Sequence, residues 1–376
     1  MREVFEIVIL LAAVQGFLLA VVLFARKQNH SANIILAIVM VCLSADLLSA
    51  FYYSRGLYRV YPYFVGITYP FPLLYGPLFY LYVKRVSKKA DRIYKTDLLH
   101  FLPLLLVYIL CIPEFLYSGE QRIEFTNNMM RGIRPPLFIV LEYILPVQGM
   151  LYAFFTLKIV KEYHSKIRNA FSNIDLINLN WLKYIAGVLF AIWSIVALVN
   201  FVRILTPAIN GLVQVSIAII IYSIGYKGLR QPEIFLYTSA ASPEFRQSEK
   251  YRRSGLNDNL ASEISGKLTD IMAAEKLYLD DDLTLQKLAE RLDVSNHNLS
   301  EVINSRLNLS YYDFINSYRV EEFKKRITDP DNDRFNILSI ALDSGFKSKG
   351  TFNSIFKKTT GMTPSEYKSK ARKTEQ

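Results

Sequence analysis

The sequence predicts an all-α protein: a bundle of seven transmembrane helices, followed by a smaller domain in which one long helix joins two short helix pairs. Three observations predict this architecture. Seven apolar segments precede residue 229, a connector with Pro, Ser and mixed charges follows at 229–257, and apolar residues then recur at helical spacing over 258–376. The composition agrees, because 52% hydrophobic and 14% aromatic residues are high values for a soluble protein.

The predicted membrane domain covers residues 1–228. Its seven apolar segments are 4–25, 33–53, 64–83, 98–117, 137–160, 181–201 and 208–226. Each has close to the ~20 residues with which a helix crosses the ~30 Å hydrocarbon core of a bilayer. A buried helical core in a soluble protein is the alternative, but seven such segments in succession favour a membrane domain. The lipid bilayer is therefore an expected partner.

Basic residues in the connecting loops predict the orientation of this domain. One side of the bundle would carry 13 Lys and Arg residues and the other side 7. The richer side is cytoplasmic by the positive-inside rule. With seven spans, the amino terminus then lies outside and the carboxyl terminus inside, which predicts a multi-pass protein of the cytoplasmic membrane.

Two carboxylates within the apolar segments are the candidate ligand-binding residues. Asp46 lies near the middle of the second segment and Glu142 in the outer part of the fifth. A charge at the bilayer centre costs about 2.5–3.5 kcal/mol on insertion scales, so it usually faces the bundle interior or a cavity. The functional interpretation is a signal-binding site, with Asp46 the better candidate. The alternative is a hydrogen bond that only positions two helices.

The C-terminal region has a charge pattern of its own. Residues 257–376 contain 18 Lys and Arg against 19 Asp and Glu, so the net charge of +11 comes entirely from residues 1–256. Between 344 and 373, however, eight basic residues stand against one acidic residue, Glu366. This local excess is the pattern expected of a nucleic-acid-binding surface.

The first short helix pair has the pattern of a helix-turn-helix. Thr284 is expected to cap a helix over 285–292, in which the small Ala289 permits a close crossing, and Ser295 to cap a second helix over 296–306. Leu299, Val302 and Ile303 would face inward. The outer face of this predicted recognition helix then carries the candidate DNA-binding residues His297, Asn298, Ser300, Glu301 and Asn304.

A longer helix is predicted from Tyr311 to about Thr328, with Ser310 as its cap and Asp313 at capping-box spacing. At a rise of 1.5 Å per residue it spans roughly 27–30 Å. This length is near the ~34 Å between successive major-groove faces on one side of DNA. One rigid helix can therefore hold two reading helices one turn of DNA apart.

The second pair repeats the plan. Its first helix, with Ala341 in the role of Ala289, ends at Gly345, which suits a positive φ. Ser348 is expected to cap a second recognition helix over 349–360. Its outer face carries the candidate DNA-binding residues Lys349, Gly350, Thr351, Asn353, Ser354, Lys357 and Lys358. Lysines suit phosphate contacts, and the other polar side chains suit base edges or phosphates. Thr363 and Glu366 have capping-box spacing before a terminal helix.

These features together resemble the DNA-binding domain of AraC/XylS-type transcription regulators. The resemblance rests on the paired helix-turn-helix and on the tail GFKSKGTFNSIFKKTTGMTPSEYK, in which Gly345-Phe346, Phe352, Phe356, Lys357, Gly361 and Thr363-Pro364 fall in place. It implies that both recognition helices enter adjacent major-groove segments of double-stranded DNA. The whole layout also resembles membrane-anchored members of this family that have a multi-span N-terminal region.

Two residues depart from the family's pattern. Glu301 stands where many members have a basic or amide side chain, and an acid there repels phosphate and accepts only from cytosine N4. Gly350 has no side chain with which to read a base. The resemblance therefore leaves open whether the second pair dominates affinity or base reading is spread over His297, Asn304 and Thr351.

The sequence carries no catalytic motif. It has no HExxH motif and no glycine-rich phosphate-binding loop. Its two cysteines, Cys42 and Cys111, cannot form a paired-Cys metal site. We therefore expect no enzyme activity, no metal site and no cofactor.

The sequence predicts a membrane-bound one-component transcription regulator that is controlled by an unknown small-molecule or lipidic signal. A homodimer is expected because doubled sites raise the effective concentration, and RNA polymerase is a further expected partner. One alternative is a membrane transporter or enzyme that carries the DNA-binding domain for feedback. Another is an anchor that tethers DNA to the membrane without sensing.

Overall fold

The computed structural model describes residues 2–26, 30–88, 94–175, 177–202, 207–229 and 257–374. The chain divides into two compact units, the first formed by Met1–Glu162 with Leu179–Pro232 and the second by Tyr163–Asn178 with Glu233–Gln376. The described residues form helices and one isolated antiparallel bridge between Phe171 and Thr284, and they contain no strand. The all-α prediction is confirmed. Most of the predicted connector lies outside the described residues.

The first unit is built from ten helices within its described residues. They are α1 (Arg2–Ala25), α2 (His30–Ser54), α3 (Pro72–Lys88), α4 (Lys95–Leu98), α5 (Leu102–Leu110), α6 (Ile112–Phe115), α7 (Gly119–Met130), α8 (Pro136–Arg168), α9 (Asn180–Val202) and α10 (Pro207–Leu229). The last turns of α8 belong to the second unit.

Four of these helices are long and apolar enough to cross a membrane: α1, α2, α8 and α9. Within α10, the stretch 211–224 is also apolar. The predicted third segment begins its helix only at Pro72, and the predicted fourth is divided into α4, a 3-10 turn, α5 and α6. Prolines contribute to these interruptions, because proline lacks a backbone N–H and clashes with the preceding turn. The structure thus supports several apolar helices, four of them of spanning length.

Small residues allow the helices of the first unit to approach closely. A side chain at Gly16 of α1 would lie 2.0 Å from Ser44 Oγ of α2 and 3.4 Å from Ile221 of α10. Ala12 and Ala13 are fully buried in the same helix. Other apolar side chains of α1, such as Leu11 and Leu18, are more than half exposed. Small residues between helices and large apolar residues outside are the pattern of helices that pack in lipid.

The second unit contains seven helices within its described residues, beyond the end of α8. They are α11 (Asp258–Glu275), α12 (Leu285–Leu292), α13 (Asn296–Arg306), α14 (Tyr311–Thr328), α15 (Ile337–Asp343), α16 (Lys349–Thr360) and α17 (Pro364–Thr374). These bounds agree with the expected helices of the C-terminal region.

Helix α14 joins two cores. Its first half contributes Tyr311, Phe314 and Ile315 to a core shared with α11, α12 and α13. Its second half contributes Phe323, whose ring centroid lies 4.6 Å from that of Phe352 in α16. The 18 residues of α14 therefore place one helix pair at each end.

The segment 163–178 is the unexpected part of the second unit. The sequence interpretation assigned it to the membrane domain, between the fifth and sixth apolar segments. In the structure its side chains Ile167, Phe171 and Ile177 are buried, and its backbone pairs with the segment before α12. The unit that contains α11 to α17 is thus completed by residues from far earlier in the chain.

Candidate nucleic-acid interface

The caps predicted for the C-terminal helices are present. The side chains of Thr284, Ser295, Ser310 and Ser348 accept from backbone N–H groups at the starts of α12, α13, α14 and α16. Thr363 and Glu366 form the expected reciprocal pair at 2.7 and 3.3 Å. These bonds satisfy donors that a helix start leaves without partners, so they fix where each helix begins.

The first pair consists of α12 and α13. Asp293, in the turn between them, adopts a left-handed conformation with φ of 54°. Leu299, Val302 and Ile303 are fully buried, as expected. The opposite side of α13 bears the five predicted DNA-binding residues, with His297 and Asn304 exposed and Asn298, Ser300 and Glu301 half-buried.

Some of these side chains contact each other along α13. His297 Nε2 lies 3.4 Å from Glu301 Oε2, one turn away. The Asn304 amide donates to the carbonyl oxygen of Ser300 at 2.8 Å and to its hydroxyl at 3.2 Å. Reading a base with Asn304 would require its amide to turn away from its own helix. Glu301 places an acid on this face, as the sequence indicated.

The second pair consists of α15 and α16, with Gly345 between them. Gly345 has φ of 92°, and a Cβ there would lie 2.3 Å from the carbonyl oxygen of Tyr278. Only glycine satisfies both conditions. Six of the seven predicted DNA-binding residues of α16 are exposed: Lys349, Gly350, Asn353, Ser354, Lys357 and Lys358.

Thr351, the seventh, is half-buried because it is covered by Asp175. The Thr351 hydroxyl donates to Asp175 Oδ1, and the Ser348 hydroxyl donates to Asp175 Oδ2 at 2.6 Å. A carboxylate thus occupies the amino-terminal end of the predicted second recognition helix. Asp175 lies between the fifth and sixth apolar segments, and the sequence predicted no role for it. Its position in an otherwise largely basic loop, with Lys166 and Arg168, was the available signal.

The basic face of α16 is partly balanced by Asp313 of α14. Lys358 Nζ lies 3.4 Å from Asp313 Oδ1, and Arg168 Nη2 lies 2.5 Å from Asp313 Oδ2. Burial raises the pKa of the Asp313 carboxyl, but hydrogen bonds from Ser310 and Arg168 outweigh this, so its pKa is lower than usual. Asp313 is therefore charged at neutral pH, while Lys349 and Lys357 remain exposed on α16.

Arg319 of α14 is the main polar residue that the sequence interpretation missed. It is almost fully buried, with 1% of its surface exposed. Its guanidinium donates to the carbonyl oxygens of Tyr278 and Asp280, both at 2.8 Å, and of Ser172 at 3.3 Å. A further bond of 3.1 Å reaches the Ser172 hydroxyl. Arg319 thereby ties the segment 163–178 to the long helix.

The two candidate ligand-binding residues of the first unit lie in different surroundings. Asp46 of α2 is half-buried beside Tyr75 of α3. Glu142 of α8 forms an ion pair with Arg134. Neither Asp46 nor Glu142 lines the cavity formed by Tyr69, Glu114 and Phe138.

A small cavity of about 20 Å³ lies elsewhere in this unit, between Tyr69, Glu114 and Phe138. A cavity of this size has room for about one water molecule. Glu114 Oε2 is buried and has no hydrogen-bond partner among the described residues. Within those residues no cluster of His, Cys, Asp and Glu could hold a metal ion.

Comparisons with known proteins agree with the C-terminal geometry. Residues 288–370 match a family described as "Helix-turn-helix domain". Over 116 residues, 31% of this chain, the protein is 30% identical to an uncharacterized HTH-type transcriptional regulator of Staphylococcus aureus (strain COL), of which the match covers 14%. Over 89 residues, 24% of this chain, it is 29% identical to the melibiose operon regulatory protein of Escherichia coli (strain K12), covering 28% of that protein. No solved structure matches the chain significantly.

These matches define the extent of the likeness. The chain spans less than a third of the length of these curated relatives, and the likeness is confined to its C-terminal part. Both relatives are named as regulators and neither as an enzyme, in agreement with the lack of a catalytic motif. The C-terminal part of this chain therefore contains a helix-turn-helix domain of the AraC type, over residues 288–370.

Proposed function

We propose that the protein is a membrane-bound one-component transcription regulator. The observation that carries the proposal is the presence, in one chain, of four apolar helices of membrane-spanning length and a C-terminal helix-turn-helix domain of the AraC type. The domain division proposed from the sequence is a membrane domain over 1–228, a connector over 229–257 and a DNA-binding domain over 258–376. Seven spans with the amino terminus outside place the DNA-binding domain in the cytoplasm, where the DNA is.

DNA binding uses two helix-turn-helix units, α12–α13 and α15–α16, joined by α14. The 18 residues of α14 extend over roughly 27 Å at 1.5 Å per residue, a length that suits two neighbouring major-groove segments. In this arrangement α13 and α16 are the recognition helices. Lys349, Lys357 and Lys358 supply phosphate contacts, and the neutral polar residues of both helices supply contacts to base edges or phosphates.

The membrane domain supplies the signal. A small-molecule or lipidic ligand shifts the regulator only if it binds two states of the membrane domain unequally. Asp46 remains our candidate for contact with that ligand, whereas the ion pair of Glu142 with Arg134 favours a structural role. A homodimer bound to a doubled site, acting on RNA polymerase, completes the proposed function.

A footprint with the full-length protein in lipid nanodiscs tests the DNA-binding part. The DNA comes from sites recovered by genome-wide crosslinking. We expect two protected major-groove segments about one helical turn apart on each half-site. Protection of a single segment per half-site would contradict the two-unit mode.

A second arm tests the basic face. The double variant Lys357→Ala, Lys358→Ala should weaken binding to all sequences and lower the slope of log K against log salt by up to about 1.8, because each lost phosphate contact contributes about 0.9. The control is Lys267→Ala, on α11, whose side chain pairs with Glu263 on its own helix. An unchanged slope in the double variant would argue against phosphate contacts by α16.

A chimera tests the sensing part. Residues 1–162 and 179–228 are replaced by an unrelated three-span protein, in which 163–178 forms the first cytoplasmic loop and 229–376 follow the third span. This design keeps every segment of the second unit. We expect the chimera to bind its DNA sites but to lose the dependence of transcription on growth conditions. Unchanged regulation would favour a simple membrane anchor. If the chimera instead loses a transport or enzymatic activity that the full-length protein has, this would favour a membrane transporter or enzyme that carries the DNA-binding domain for feedback.

A further inference from the structure

The segment 163–178 is docked on the second unit through its backbone. Phe171 and Thr284 form an antiparallel bridge, flanked by bonds from Leu285 N to Ala170 O at 3.0 Å and from Ser172 N to Leu283 O at 3.4 Å. The Ser172 hydroxyl donates to the same Leu283 oxygen at 2.6 Å. The segment thus lies beside the residues that cap and begin α12.

Helix α14 holds the segment by two arginine contacts. Arg319 donates to both the carbonyl and hydroxyl oxygens of Ser172, and the Asn316 amide donates to that carbonyl at 3.2 Å. In the opposite direction, Arg168 reaches from the segment to Asp313 and lies 4.8 Å above the ring of Tyr312. The segment is therefore seated on the helix that joins the two pairs.

The last contact is the one with a functional consequence. Asp175 accepts from the hydroxyls of Ser348 and Thr351, at the start of the 12-residue helix α16. A helix start favours an anion because its N–H groups and its dipole present positive charge there. A DNA phosphate has the same charge sign and accepts from the same donors. One carboxylate and one phosphate cannot occupy these hydroxyls together.

We propose that the segment 163–178 is an intramolecular partner of the DNA-binding domain and competes with DNA for the start of α16. In the docked state Asp175 takes the position of a phosphate at Ser348 and Thr351. The second recognition helix engages DNA only after Asp175 has left. This inference rests on the proposed DNA-binding role of α16.

The position of the segment between α8 and α9 allows a signal in the membrane domain to regulate its competition with DNA. Its first residues continue α8, and α9 begins two residues after its end. A ligand that changes the relative position of the ends of α8 and α9 therefore changes the geometry of the docked segment directly. The signal needs no path through the connector at 229–257.

The first test removes the charge of Asp175 in the full-length protein in nanodiscs. Affinity for a 40-base-pair duplex of mixed sequence is measured by fluorescence anisotropy at fixed salt. We expect Asp175→Asn to bind about tenfold more tightly than wild type. Asp270→Asn, an exposed acid on α11, measures the effect of one lost negative charge alone. Equal gains in both variants, or weaker binding by Asp175→Asn, would overturn the proposal.

The second test locks the segment in place. Phe171 and Thr284 are a non-hydrogen-bonded antiparallel pair, whose Cα atoms lie about 4.5 Å apart, within the range of a disulfide. The DNA affinity of the double variant Phe171→Cys, Thr284→Cys is measured in its oxidised and in its reduced form. Each single-cysteine variant serves as the control. We expect the oxidised form to bind the duplex at least tenfold more weakly. Equal affinity in both redox states would contradict competition.

The two tests also separate this inference from the proposed function. If Lys357→Ala, Lys358→Ala weakens binding while Asp175→Asn and the crosslink change nothing, α16 binds DNA but the segment does not compete. If the lysine variant binds DNA as tightly as wild type does, the proposal that α16 contacts DNA is itself wrong. Should the double-cysteine variant fail to fold, the Asp175→Asn comparison alone decides the matter.

Discussion

Arg319 shows how one buried cation can organise a domain. Among the residues that the structure describes, its guanidinium donates to carbonyl and hydroxyl oxygens of two loops and to the amide oxygen of Asn316, and to no carboxylate. Burial lowers the pKa of its guanidinium to about 10, which still leaves it charged at neutral pH. A buried charge is tolerated only when its donors are satisfied, so the loops and the arginine require each other.

Gly345 is the second residue whose identity is set by its surroundings. Gly345→Ala should cost at least about 2 kcal/mol, because it combines a left-handed backbone with a clash against the carbonyl of Tyr278. Hydrogen exchange of the amides in α14 to α16 is the suitable measurement, since a chain with two units has no single unfolding midpoint.

Two other glycines separate the contributions to this effect. Gly361→Ala, with φ of 76° and open space around it, should cost only about 1 kcal/mol. Gly350→Ala, at an ordinary helical position, should stabilise α16 by about 0.5–1 kcal/mol. A loss at Gly345 no larger than that at Gly361 would show that the close approach to Tyr278 does not matter.

At the scale of the element, α14 is more than a spacer. Its Tyr311, Phe314 and Ile315 belong to one core, and its Phe323 packs between Phe352 and Phe356 of α16, at centroid distances of 4.6 and 5.2 Å. The same helix therefore sets the separation of α13 and α16 and their rotation about its axis. Capping by Ser310 fixes where α14 begins.

Removing Phe323 should uncouple the second pair. Phe323→Ala deletes a fully buried ring and should cost about 3–5 kcal/mol. We expect the footprint of each half-site to lose the segment contacted by α16 and to keep the one contacted by α13. Lys325→Ala, an exposed change on the same helix, should leave both segments protected. Loss of both segments in Phe323→Ala would mean that the two pairs do not fold separately.

At the scale of the whole molecule, the topology decides whether the proposed function is physically possible. Glu120 in α7 and Lys161 in α8 are both exposed. The variants Glu120→Cys and Lys161→Cys are each treated on intact cells with a membrane-impermeant maleimide, and labelling of the new cysteine is measured. We expect labelling at 120 without permeabilisation and at 161 only after it, because the basic loops face the cytoplasm. The wild type is the control, since Cys42 and Cys111 are buried. The reverse pattern would place the DNA-binding domain on the wrong side of the membrane.

The predictability of the site differed between its parts. The helix bounds, four caps, Gly345 and the inward face of α13 followed from the sequence, because each depends on residues within a few positions of one another. The apolar helices α3, α5 and α6 were harder to predict, because their prolines interrupt segments whose hydropathy alone is continuous. The contact of each candidate residue with DNA stays a prediction.

The sequence by itself determined that this protein has an apolar helical region and a C-terminal helix-turn-helix domain, since periodicity, caps and the match over 288–370 are written in neighbouring residues. Only the tertiary structure decided that 163–178 completes the C-terminal unit and that Asp175 sits on Ser348 and Thr351. Asp175 is more than 170 positions away from Ser348 and Thr351 in the sequence. It lies in a loop that has no hydrophobic periodicity. Local patterns carry no information on such a pairing, which is selected by the complementarity of two folded surfaces.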